Sequence, residues 1–223
     1  MRKHLIAALL SICLLAALVP AASAAGSTNS NYTACMTAIR EQRAIQAQAH
    51  ITADALRPRG YAEDSVYIQA AKSSWESAAQ AINGYLRLSQ YTDEDVRILA
   101  TTVYYEAGGT TEELREYVAQ VVLNRVADSR FPNTIYGVIT APGQYSGDYA
   151  TAAATQAIKD KDAKNGTLSY ATCVVSAKRA MMGAVDMPSN VVFEANFKQG
   201  TGVWKAIYFN SGYFSSTSYY CFG

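Results

Sequence analysis

Histidine is nearly absent from this chain: His4 and His50 are the only two in 223 residues. That scarcity excludes several kinds of chemistry. A zinc peptidase or zinc amidase draws its ligands from clustered histidines and carboxylates. A papain-like peptidase needs a Cys–His pair. His50 would have to serve alone, from inside a helical stretch, and it reads as an ordinary helix residue. The chain also lacks a G-x-S-x-G nucleophile turn and a phosphate-binding glycine loop. It has no surplus of charge, with 19 basic against 18 acidic residues, so nothing directs it to nucleic acid. What remains for catalysis is carboxylate chemistry, without metal or cofactor.

Long apolar runs are missing as well, apart from one at the N-terminus. Arg2, Lys3 and His4 give a basic start, Leu5 to Val19 is almost wholly apolar, and Ala22-Ser23-Ala24 has the small-x-small pattern of a signal peptidase site. Residues 1–24 are therefore expected to be a signal peptide. The run is shorter than the roughly 20 residues of a spanning helix. Cys13 is not a lipoprotein site, because Ile12 stands where a small residue is needed. Without the leader, 17 basic and 18 acidic residues remain, since Arg2 and Lys3 go with it. A secreted chain with no stable membrane insertion follows as the expectation. Oligomeric state is not legible. Export permits disulfides, and Cys35, Cys173 and Cys221 remain. Cys173 with Cys221 is the preferred pair, both lying in the C-terminal part. The alternative is three buried thiols.

Two helical stretches follow the leader. Thr33 to Leu56 is rich in Ala, Gln, Arg and Glu, and Arg57-Pro58-Arg59-Gly60 breaks it. Asp64 or Ser65 can cap a second helix to about Leu88. Together they predict a helical hairpin over 25–90, either a small accessory module of its own or one packed on a principal domain over 91–223. Thr92 with Asp95 opens a third helix that ends at Gly108-Gly109. Thr110 with Glu113 reads as a second T-x-x-E capping box, before the apolar face of Leu114, Tyr117, Val118, Val121, Val122 and Leu123. Asn133 or Thr134 can cap a short helix through Ile139. The polar, alanine-rich 147–168 stretch reads as a surface insertion, and Ala171 to Met182 as a helix. Val191 to Phe197, Val203 to Phe209 and Tyr219 to Phe222 are short β-rich runs, predicting a small antiparallel sheet. Helices first and a small sheet afterwards define an α+β domain, mainly helical.

Among the carboxylates, Glu106 has the position a proton donor needs. It lies one residue before its helix stops, on the margin of the apolar stripe and after Tyr104 and Tyr105. Partial burial and the negative end of the helix dipole both disfavour its ionised form. A raised-pKa carboxylic acid is what glycoside cleavage requires. The competing reading is a solvated glutamate near a helix end.

The order of motifs favours the acid. Tyr104-Tyr105-Glu106-Ala107-Gly108-Gly109, Val121 to Val126, Arg130 to Ile135 and Pro142-Gly143-Gln144-Tyr145-Ser146 resemble, in sequence order, the SleB-type cell wall hydrolase family, which includes spore-cortex-lytic enzymes. The likeness is dense over about Asp95 to Ser146 and looser from Cys173 to Gly223. It implies a lysozyme-like or lytic-transglycosylase-like fold, peptidoglycan as partner, and Glu106 as catalytic acid. It also implies a wall or spore-cortex location. Substrate-binding candidates are Tyr104, Gln144 and Tyr145, with Asn196 and Gln199 in a segment resembling one beside the family's groove. Asn124 and Arg125 read as braces of the core, and Glu194 as a reserve acid on a strand face that is usually solvated. Two departures stand out. Thr110 occupies the place of a second acid, and Ala141 stands where the family has Gln. Losing the second acid points from hydrolysis towards a single-acid lytic transglycosylase. The alternative is a peptidoglycan-binding protein that has kept the fold and lost activity.

Overall fold

The computed structural model describes residues 29–195, 202–209 and 218–223; the side chains of 208, 209 and 218–221 lie outside that description. The expected leader falls outside it too. Two units divide the chain, the first ending at Leu86 and the second running Arg87–Gly223.

In the first unit, α1 (Ser30–Leu56) starts at Asn29, whose side chain accepts from the Tyr32 N–H. A 3-10 turn at Arg57–Arg59 and Gly60, left-handed at φ 82°, break the helix where the R-P-R-G sequence requires. Most of α2 (Val66–Leu88) also lies in this unit. Arg57 bridges Asp54 and Glu63, and Lys72 joins Glu63 at 2.9 Å. Hydrogen bonds from Arg57 and Lys72 hold the Glu63 carboxyl down to about 2. His50 pairs with Asp54 at 2.8 Å, as an exposed helix residue can. No helix among the described residues is long and apolar enough to cross a membrane.

The second unit is built on three helices, α3 (Asp93–Ala107), α4 (Glu112–Ala127) and α7 (Ser169–Met181). Leu99, Ala100, Val103 and Ala107 meet Leu114, Val118, Val121 and Val122, with Cys173, Ala177 and Met181 completing the core. Small residues at Ala100, Ala119 and Ala177 are fully buried and let the backbones approach. Thr92 and Asp95 form the reciprocal capping box expected at the start of α3. The cap of α4 is Thr111 rather than Thr110: its hydroxyl accepts from the Leu114 N–H. Thr110 instead donates to Ala107 O at 2.6 Å, satisfying a carbonyl that the end of α3 leaves open. Thr134 caps the short α5 (Ile135–Thr140).

The stretch expected as a surface insertion is part of the packed unit. It forms a 3-10 turn at Gly147–Ala150 and helix α6 (Ala152–Asn165), with Thr155 and Ile158 buried. Arg97 on α3 gathers it in, donating to Ala150 O (2.5 Å), Thr151 O (2.7 Å) and Thr155 Oγ1 (2.7 Å). Thr155 also shares a 2.8 Å hydrogen bond with Thr101. Asp162 accepts from the Tyr170 N–H at 2.7 Å, doing for α7 the work of a cap that Leu168 cannot do.

The C-terminal part is a three-stranded antiparallel sheet in the order β1 (Glu194–Ala195), β3 (Ser218–Phe222), β2 (Lys205–Phe209). Phe222 is fully buried and meets Tyr117 of α4 edge-on at 5.4 Å. Lys205 reaches Glu113 at 2.6 Å and the Tyr117 hydroxyl at 2.7 Å. The expected helix-then-sheet order is therefore present, and the unit is mostly helical. The expected Cys173–Cys221 disulfide does not form. Cys173 is a free thiol in the helical core, and burial pushes its pKa up to about 11. Cys35 is also buried.

Candidate active site

Glu106 is the penultimate residue of α3 and is half-buried. Desolvation raises its pKa, and a hydrogen bond from Tyr149 works in the opposite direction. The Tyr149 phenol is raised to about 12, first by burial and then by the Glu106 charge it faces. Tyr149 comes from the 3-10 turn that Arg97 pins against α3. Its ring stacks on Tyr105 at 4.6 Å and 6°. Tyr149 is the neighbour of Glu106 that the sequence pattern does not announce. Nothing in the polar 147–168 stretch marks it; the half-buried cation at Arg97 brings that stretch back to α3.

Tyr104 packs edge-on against Tyr105 at 5.4 Å, with the Lys161 ammonium 5.8 Å from its ring centre. Pro142-Gly143 makes a turn closed by the Gln144 N–H on Ala141 O at 3.3 Å, and Gly143 supplies the φ of 74° that the turn needs. Gln144 is exposed after it. Tyr145 turns inward and donates to Glu194 Oε1 at 2.7 Å. Asn196 and Gln199 lie outside the described residues.

Glu194 differs from the solvated strand residue expected. Its residue is only partly covered, yet Oε2 is buried without a hydrogen-bond partner among the described residues. Burial is the largest influence on the carboxyl and raises it to about 8; the nearby Glu106 charge adds to this, while Tyr145 and Arg125 oppose it. Two acids therefore share the site, one from α3 and one from β1.

The bracing residues expected at Asn124 and Arg125 explain how β1 is held. Asn124 Nδ2 donates to Pro188 O (2.9 Å) and Val191 O (2.8 Å), and Arg125 Nε donates to Val192 O at 2.6 Å. The Arg125 guanidinium lies 5.1 Å from the Tyr145 ring centre and 5.4 Å from that of Phe131. One buried cation thus aligns both the turn carrying Tyr145 and the strand carrying Glu194. Among the described residues, no group of three or more His, Cys, Asp or Glu could hold a metal ion.

A helical unit with a small sheet, and with carboxyls and phenols gathered between them, fits the class of acid-dependent cell wall hydrolases. Residues 109–212 match the model of the family described as Cell Wall Hydrolase. That segment, and the wider stretch shared with the relatives below, is similar to SleB-type cell wall hydrolases. The match begins three residues past Glu106. A spore cortex-lytic enzyme of Bacillus cereus is 32% identical over 117 residues, covering 51% of this chain and 39% of that enzyme. The spore cortex-lytic enzyme of Bacillus subtilis is 42% identical over 52 residues, 23% of this chain and 17% of the enzyme. That of Oceanobacillus iheyensis is 39% identical over 56 residues, 25% of this chain and 20% of the enzyme. The chain thus spans about two fifths of the length of the Bacillus cereus relative. No solved structure matches it.

Proposed function

We propose that this protein is a secreted peptidoglycan-cleaving enzyme, in which Glu106 protonates the glycosidic oxygen between N-acetylmuramic acid and N-acetylglucosamine. The observation that carries the reading is the half-buried Glu106 carboxyl, raised by desolvation at the end of α3 and contacted by Tyr149. The family match and the names of the relatives support the substrate class. Positive charge developing on the muramic ring is met by the carboxylate that Glu106 becomes on giving up its proton.

The finer reading is lytic transglycosylation. Glu106 donates its proton to the leaving oxygen, then takes the proton of the muramic C6 hydroxyl as that oxygen attacks C1. The products are a free 4-hydroxyl on one side and a 1,6-anhydro ring on the other. Thr110 supplies no second acid, and its hydroxyl is engaged by Ala107 O. Burial raises Glu194 towards its neutral form, which disfavours it as the base that activates water. A lysozyme-like arrangement, in which a helical lobe and a small sheet flank a sugar groove, accommodates this chemistry.

The test is solubilisation of purified vegetative wall and of spore cortex by the mature protein. Wild type should release fragments from at least one, and Glu106→Gln from neither. Free stem peptides among the fragments would instead mark a peptidase or amidase. Binding of both walls with cleavage of neither would establish the non-catalytic alternative.

A further inference from the structure

Glu194 takes no part in the proton transfers described above, yet it is the most constrained carboxyl of the site. Its Oε1 is fixed by the Tyr145 hydroxyl at 2.7 Å. Its backbone is held in the β1–β3 ladder opposite Phe222. Behind it, Arg125 is tied to Val192 O and lies against the Tyr145 ring. Its Oε2 is buried and has no hydrogen-bond partner among the described residues. A buried oxygen left unpaired is costly, and such an oxygen is retained where a ligand completes it. The charged or titratable groups facing it are Glu106 from α3, Arg125 from α4 and Tyr145 from the turn after α5.

We propose that Glu194 is a substrate-contacting residue whose Oε2 donates a hydrogen bond to an acetamido carbonyl oxygen of an N-acetylated glycan. This rests on the peptidoglycan reading above. The direction of the bond follows from geometry: Oε1 already accepts the Tyr145 proton, so a neutral carboxyl carries its own proton on Oε2. An acetamido carbonyl is the strong acceptor that both sugars of such a glycan carry. A de-N-acetylated sugar offers an ammonium in its place, which sets a donor against a donor. A site built around a buried polar group rejects a ligand that leaves that group unpaired.

The test uses the full chain carrying Glu106→Gln, so that the glycan stays intact. Binding is measured by co-sedimentation with purified peptidoglycan, with the same material chemically N-deacetylated, and with that material re-acetylated. The parent should bind acetylated wall about tenfold better than deacetylated wall, a factor typical of one such hydrogen bond. Re-acetylation should restore binding. Its affinity should fall as pH rises, with a midpoint below about 8, because the Glu106 charge that helps raise Glu194 is gone. Adding Glu194→Gln preserves a donor and an acceptor, so binding and acetyl preference persist and the pH dependence disappears. Adding Glu194→Leu removes the preference and lowers binding of acetylated wall about tenfold, to the level of deacetylated wall. Equal binding of the two walls by the parent overturns the inference, as does a pH dependence that survives Glu194→Gln. Loss of cleavage by the wild type with acetyl-selective binding intact overturns the cleavage reading alone.

Discussion

At the scale of single residues, the account turns on which groups touch the Glu106 carboxyl. Tyr149 donates to it and lowers its pKa. Tyr149→Phe should therefore raise the Glu106 pKa, moving the alkaline limb of the activity–pH profile upward. It should cost a few-fold in kcat, far less than the ~10²–10⁴-fold loss for Glu106→Gln. A profile unmoved by Tyr149→Phe would remove Tyr149 from the site. The half-buried, helix-end position of Glu106 was legible in the sequence, because the apolar stripe and the Gly108-Gly109 stop define it. Tyr149 was not, since no periodicity marks it and a cation 52 residues earlier, at Arg97, brings it home. Glu194 was misread for a different reason. The strand rule places polar side chains in water, but here Phe193 is 46% exposed while the neighbouring carboxyl oxygen is buried. Inversions of that kind belong to sites rather than to cores.

At the scale of elements, the helices were read well and their connections less so. The Thr92–Asp95 box, the Arg57–Gly60 break and the Thr134 cap follow from side chains that compete for the same few backbone groups, and they appear as expected. Thr110 and Thr111 could both begin α4, and only the fold decides that Thr111 caps it while Thr110 closes α3. Helix α6 is largely polar, and its attachment depends on hydrogen bonds from Arg97 and Thr101 that no hydrophobic pattern announces. The brace from α4 to β1 is the element on which the site depends. Asn124→Ala leaves the Pro188 and Val191 carbonyls without their donor. We expect a stability loss of about 2 kcal/mol in urea unfolding, together with a larger drop in activity as β1 loosens. Thr92→Ala, which removes a cap remote from Glu194, should cost about 1 kcal/mol and spare kcat.

At the scale of the molecule, the two units and the state of the thiols set what treatment the protein tolerates. Cys173 is a free, buried thiol, so the expected pair with Cys221 is not there to be reduced. A reductant should leave the melting temperature unchanged; a clear drop on reduction would show a disulfide after all. Stability should depend on pH through Glu194. Its folded pKa of about 8 lies above the ordinary 4.5, so the folded state binds the extra proton between those values. Stability from this group is full below about 4.5 and declines as pH rises towards about 8. The decline should be on the order of a few kcal/mol, and Glu194→Gln should flatten it in denaturant titrations across that window. The most direct test of the central claim is the mass of the fragments that the wild type and Glu106→Gln release from one purified peptidoglycan. The account predicts muropeptides ending in 1,6-anhydro-muramic acid from the wild type and none from Glu106→Gln. Fragments with reducing ends, heavier by one water, or release that persists in Glu106→Gln, would contradict it.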